Sequence, residues 1–146
     1  MILVIDANIL FSALITPNGK LAKILTHPRL PVTRISCHFV VVEILKHRAK
    51  IVRFSKKQAE NITEDLYYYL KHIRLFEESF IAAPHWKEAE RLTSGIDCFD
   101  VNYVALALQT GAWLWTGDKK LTTHLKSMGF DRVVNTAELY EQLDLD

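Results

Sequence analysis

The chain opens on Met1-Ile2-Leu3-Val4-Ile5, an unbroken apolar run, and then places Asp6. Such a run predicts a strand buried on both faces, here residues 2–6. The spacing turns helical over 9–15 and breaks at Thr16-Pro17-Asn18-Gly19, a turn signal. A short helix is predicted over 20–26, a loop between Pro28 and Pro31, and a second strand over 32–36. A helix follows over 37–50, with Phe39, Val40, Val41, Val42, Ile44 and Leu45 as its apolar set. Ser55-Lys56-Lys57-Gln58 has the form of a capping box and predicts a helix to about His72. A third short strand is expected over 73–76. Pro84 suits the first turn of a helix that runs to about Ser94 and ends at Gly95.

Val101, Val104, Ala105 and Leu108 are helically spaced and predict a helix over 97–110, stopped by Gly111. A fourth strand is expected over 112–116, a helix over 118–128 before Gly129, and a last strand over 132–134. Asn135, with Glu138 three residues on, caps a C-terminal helix. Strands alternating with helices imply an α/β fold with a central parallel sheet of about five strands flanked by helices. The length of 146 residues, with no repeat, linker or low-complexity stretch, predicts a single domain over 1–146.

Composition narrows the function. A net charge of +1 with 24% charged residues rules out a whole-chain polyelectrolyte, so any nucleic-acid contact must be a local patch. No apolar run reaches membrane length. No secretion signal is read at the N-terminus, and a cytoplasmic protein is expected. Cys37 and Cys98 are far apart and form no CxxC pair, which argues against a disulfide framework or structural zinc and predicts two buried thiols. The six histidines show no HxxxH or HExxH spacing, and there is no G-x-S-x-G, GxxxxGK[ST] or GxGxxG motif.

The carboxylates carry the chemistry. Asp6 stands where the first strand stops, and in open α/β sheets ligands bind outside the carboxyl ends of the strands. Asp118 repeats that placement after Trp113-Leu114-Trp115-Thr116-Gly117. Either acid can instead cap the helix that follows it. Glu43 sits inside an apolar helix, where a half-buried carboxylate is costly without a partner; Lys46 and His47 are the alternative partners on its own helix. Asp97 and Asp100 share a face at a helix start, as cap and dipole partner or as two ligands. Carboxylates converging on one sheet edge repel unless cations lie between them. Oxygen-only ligands suit Mg²⁺ or Mn²⁺, and such ions suit phosphodiester hydrolysis.

These stretches resemble the PIN domain, a metal-dependent ribonuclease family that includes the VapC-type toxins of toxin–antitoxin pairs. The resemblance lies in Val4-Ile5-Asp6-Ala7-Asn8-Ile9-Leu10, Val42-Glu43-Ile44-Leu45-Lys46-His47, Ile96-Asp97-Cys98-Phe99-Asp100 through Leu108, and Trp113 through Leu121. It implies a five-stranded parallel sheet and carries the acidic tetrad over to Asp6, Glu43, Asp100 and Asp118, with Asp97 as an additional metal ligand. Asn8 or Ser12, and Thr116, match positions that orient carboxylates or waters. The resemblance further implies a Mg²⁺- or Mn²⁺-dependent endoribonuclease with an RNA substrate, a homodimer and, for a toxin, a small antitoxin partner.

No acid occurs between Glu43 and Glu60, a stretch that holds Lys46, Arg48, Lys50 and Arg53; Lys119 and Lys120 follow Asp118. These six are the candidate RNA contacts, with ordinary solvated faces as the alternative. Tyr67-Tyr68-Tyr69 can stack bases or pack in a core. A haloacid-dehalogenase-like phosphatase also starts with a strand and an Asp, but needs a second Asp where this chain has Asn8. A non-catalytic RNA- or partner-binding module is the other alternative, against which the complete set of acids argues.

Overall fold

The computed structural model describes residues 1–145; Asp146, the last residue of the expected domain, lies outside them. Five parallel strands form one sheet in the order β3-β2-β1-β4-β5: β1 (Ile2–Ile5), β2 (Thr33–Cys37), β3 (Arg74–Phe76), β4 (Trp113–Trp115) and β5 (Val133–Val134). β1 is central, pairing Val4 with Ile35 on one side and with Leu114 on the other. Leu3, Val4 and Ile5 are fully buried, as the uninterrupted apolar run requires.

Nine α-helices flank the sheet among the described residues: α1 (Ala7–Ile15), α2 (Lys20–Thr26), α3 (Phe39–Lys46), α4 (Arg48–Ser55), α5 (Ala59–Leu70), α6 (Ala83–Leu92), α7 (Asp100–Thr110), α8 (Lys119–Ser127) and α9 (Thr136–Gln142). α7 lies against β1, β2 and β4, with α6 packed on it; α1 gathers α3, α4 and α5. The chain builds β1, β2 and β3 outward, then returns to the other side of β1 with β4. That reversal makes the β1–β4 boundary the switch point of the sheet, where a crevice opens beyond the strand ends.

Several expectations are corrected. The helix over 37–50 is two helices that turn at His47, and the turn lets α3 and α4 each reach α1. The expected capping box does not form. Ser55 ends α4, its Oγ accepts from Lys57 N at 3.3 Å, and Lys56 takes a left-handed φ of 59°. The next helix begins only at Ala59. Val42 and Leu45, expected in the apolar set, are about half exposed. α7 starts at Asp100 and not at Asp97. Cys37 is buried, but Cys98 is exposed in the loop before α7. Asn135 does cap α9, accepting from Glu138 N at 2.8 Å.

Candidate metal centre

Asp6 continues the β1 ladder past its end, donating from its backbone N to Trp115 O at 3.2 Å. Its side chain is buried at 4% exposure. It precedes α1 but makes no capping bond, so helix capping does not explain it. Instead Oδ2 accepts from Thr116 Oγ1 at 2.7 Å and from Asn8 Nδ2 at 3.0 Å. Asn8 Nδ2 also donates to Thr116 Oγ1, while Asn8 Oδ1 accepts from Gly117 N, each at 3.0 Å. Asp118 N donates to Thr116 Oγ1 at 3.2 Å. The Thr116 hydroxyl thus uses its one proton and both lone pairs. These bonds tie the end of β1 to the β4–α8 turn and hold Asp6 in one orientation.

Burial pushes the Asp6 carboxyl up to about 6, the Glu43 charge adds to that, and the Thr116 bond opposes it. Glu43 is half-buried on α3, where its Oε1 accepts from the Tyr103 hydroxyl of α7. Burial raises its pKa and the Asp97 charge adds to this, while the Tyr103 bond and the Lys46 charge lower it. Asp100 opens α7 and is half-buried. Its carboxyl is pushed up to about 7, first by burial and then by the charges of Asp6, Asp97, Asp118 and Glu43.

A cleft of about 240 Å³ brings together Asp6, Asn8, Glu43 and Asp100, with His47 and Lys50 on its wall. A second cleft of about 110 Å³ is lined by Asp97, Asp100, Asp118 and Lys120. Asp100 belongs to both and joins them. Asp97 is exposed, its Oδ1 accepting from Phe99 N at 3.0 Å in a local turn. Asp118 is exposed and caps α8 through Oδ1, which accepts from Leu121 N at 3.1 Å. Ser12 is exposed and lies with Asn8, Gly117 and Asp118 along another groove, which Asp6 does not line.

Among the described residues, the ion pairs join Lys57 to Asp65 and Arg91 to Glu88 and reach none of these acids. Carboxylates gathered this way without an ion pair repel one another, which favours a cation among them. Among the described residues, no three His, Cys, Asp or Glu side chains close into a ready metal cage. An open set of oxygen donors fits Mg²⁺, which keeps several waters and takes one or two carboxylates, better than it fits zinc. The donor set therefore fits a hard divalent ion.

The six candidate basic contacts divide. Lys50 and Lys120 line the two clefts, and Lys119 lines a groove with Thr116 and Gly117. Lys46 lies over the Phe99 ring at 4.5 Å. Arg48 instead donates to Thr63 Oγ1 of α5 at 3.2 Å, and Arg53 lies over Phe54 at 5.0 Å. Tyr69 is buried, while Tyr67 and Tyr68 are exposed. Sequence reasoning missed Tyr103. Its place three residues after Asp100, on the same helix face, was the available signal.

A parallel α/β sheet with acids at its switch point defines the class, and the comparisons agree with it. The chain belongs to the PIN domain family, which it matches over residues 4–138. PIN domains are typically nucleases and generally use divalent metals. The fold is similar to a chain of VapBC2 from Rickettsia felis, in a crystal structure with a DNA fragment from their promoter. That match has a TM-score of 0.70 and 19% identity, and covers 92% of this chain and 98% of that one. PAE2754 from Pyrobaculum aerophilum is similar at TM-score 0.68 and 18% identity, over 99% and 90% of the two chains. VapBC-1 from nontypeable Haemophilus influenzae is similar at TM-score 0.67 and 16% identity, over 94% and 99%. No curated protein matches the sequence. Among the described residues, no helix is long and apolar enough to cross a membrane.

Proposed function

We propose that this single domain is a Mg²⁺- or Mn²⁺-dependent endoribonuclease that hydrolyses phosphodiester bonds of RNA. The observation that carries the reading is the meeting of Asp6, Glu43 and Asp100 in one cleft, with Asp118 joined to it through Asp100. Asp6, Glu43, Asp100 and Asp118 would hold the metal, with Asp97 at its outer edge. A bound ion of this kind lowers the pKa of an attacking water and neutralises the leaving oxygen.

The chain's own residues supply the rest. Asn8 and Thr116 hold Asp6, and Tyr103 holds Glu43, so two of the carboxylates are already oriented before cation and substrate arrive. Lys50 and Lys120, on the walls of the two clefts, place positive charge where the RNA backbone approaches the acids.

Cleavage of a single-stranded RNA in Mn²⁺ tests the reading. Asp6→Asn and Asp118→Asn should abolish it, and cleavage that persists unchanged in both proteins rules it out. Likeness to VapBC2 and VapBC-1 supports a further step, that the chain is the toxin of a toxin–antitoxin pair with a small antitoxin partner and forms a homodimer. Expression of the chain alone should then arrest growth, and co-expression of a small protein encoded beside it should restore growth.

A further inference from the structure

Phe99 stands between Asp97 and Asp100 in the chain, and the residue is 40% exposed. It leans on Phe39 of α3, the ring centroids 5.3 Å apart and the planes tilted by 31°. Phe39 lies four residues before Glu43 and Lys46 three after it, so the three share one face of α3. Lys46 Nζ sits 4.5 Å from the Phe99 centroid and 5.9 Å from that of Phe39. A supported aromatic ring with a cation over it thus sits next in the chain to Asp100, which lines both carboxylate clefts, and beside the face of α3 that carries Glu43. The Phe99 ring itself bonds to none of the carboxylates.

We propose that Phe99 is a stacking platform for one base of a single-stranded RNA lying across the acids, with Lys46 moving from the ring to an adjacent phosphate. The inference rests on the reading that RNA occupies this cleft. An exposed ring accepts any base, and base–aromatic stacking is stronger than an exposed cation–π contact, so an arriving base displaces the ammonium. The flexible four-carbon stem of Lys46 lets it turn to the phosphate. A nucleotide brings both a π-face for Phe99 and an anion for Lys46. An apolar protein face would have to bury Lys46 and the exposed Asp97 along with the ring. Paired bases in a duplex are already stacked, so the ligand is a single strand.

The experiment uses a single-stranded oligoribonucleotide with 2-aminopurine placed at each position in turn. It is mixed with the protein and Mn²⁺ in a stopped-flow instrument, so that binding is read before cleavage. Wild type should quench the fluorescence at one position. Phe99→Leu, which keeps apolar bulk without the ring, should lose the quench and weaken binding roughly 5- to 150-fold, and Phe99→Tyr should retain both. Equal quenching and binding by wild type and Phe99→Leu overturns the platform, even where wild type cleaves the RNA and the nuclease reading stands. A quench lost in Phe99→Leu while wild type cleaves nothing supports the platform and overturns the nuclease reading. If Phe99→Leu lowers self-association in light scattering and leaves the quench intact, the ring belongs to a protein interface and the proposal falls.

Discussion

The buried Tyr103 hydroxyl of α7 donates to Glu43 Oε1 of α3, joining the helix that carries Asp100 to the helix that carries Glu43. Burial and the Glu43 carboxylate push the phenol's pKa up, so it remains a protonated donor across the working pH range. Tyr103→Phe should keep the fold, with a stability loss of about 0.5–1.5 kcal/mol in urea unfolding. It should weaken Mn²⁺ binding roughly 10- to 100-fold in a calorimetric titration, because Glu43 is no longer held toward the cleft. Unchanged Mn²⁺ affinity would show that the bond serves packing alone.

Asp100 links a gain in stability to a loss of function. Its folded carboxyl titrates at about 7 against an ordinary 3.8. Between those values the folded chain binds more protons than the unfolded one, so stability falls as pH rises through that window. Asp100→Asn removes the effect. In EDTA its Tm should exceed that of wild type at pH 8, with the gain fading as pH falls toward 4. RNA cleavage should be lost. A lower Tm for Asp100→Asn at pH 8 would contradict the destabilisation of the charged carboxyl by burial and neighbouring acids.

Metal and protons compete for the same oxygens. Asp6, raised to about 6, and Asp100, raised to about 7, should make Mn²⁺ binding fall as pH drops through that range. Added Mn²⁺ should therefore raise the Tm more at pH 8 than at pH 5. Scanning calorimetry at both pH values checks this, and an equal increment at each would place the ion away from these acids.

Thr116 is fully buried and is the knot between β1 and β4, with Asp6, Asn8 and Asp118 all bonded to its hydroxyl. Thr116→Val keeps the shape but leaves the buried Asp6 carboxylate short of a donor, and should cost about 1–3 kcal/mol in urea unfolding. Thr116→Ser should cost less, since it keeps the hydroxyl.

Lys50 and Lys120 line the two clefts and should act through charge alone. Lys50→Ala and Lys120→Ala should each raise KM for RNA, leave kcat nearly unchanged, and lower the salt slope of binding by about 1. Arg53→Ala is the contrast: Arg53 lines neither cleft, and its removal should leave the salt slope unchanged.

Much of this protein was legible along the chain. The apolar run before Asp6, the helical spacing of Val101, Val104, Ala105 and Leu108, and the Asn135–Glu138 cap are local patterns, and each matches the element observed. Ser55 shows the limit of such signals. The same hydroxyl that could open a helix was used to close one, because α4 continued through the buried Ile51 and ended only there. Asp97 and Asp100 read alike in sequence, yet one bonds within a turn and the other lies half-buried between two clefts.

Most of the elements, and the acids Asp6, Asp100 and Asp118 at their ends, were readable in local spacing, because periodicity and capping depend on residues within a turn or two of one another. Only the tertiary structure decided that β4 lies against β1. That contact sets Thr116 on Asp6 and brings Asp118 to the same edge, while the packing of α7 across the sheet brings Tyr103 to Glu43. Those partners are remote in the chain, and nothing in their local spacing records which strand is next to which. The raised carboxyls arise at the same level: only packing buries Asp6 and Asp100 and puts them in the field of the other acids.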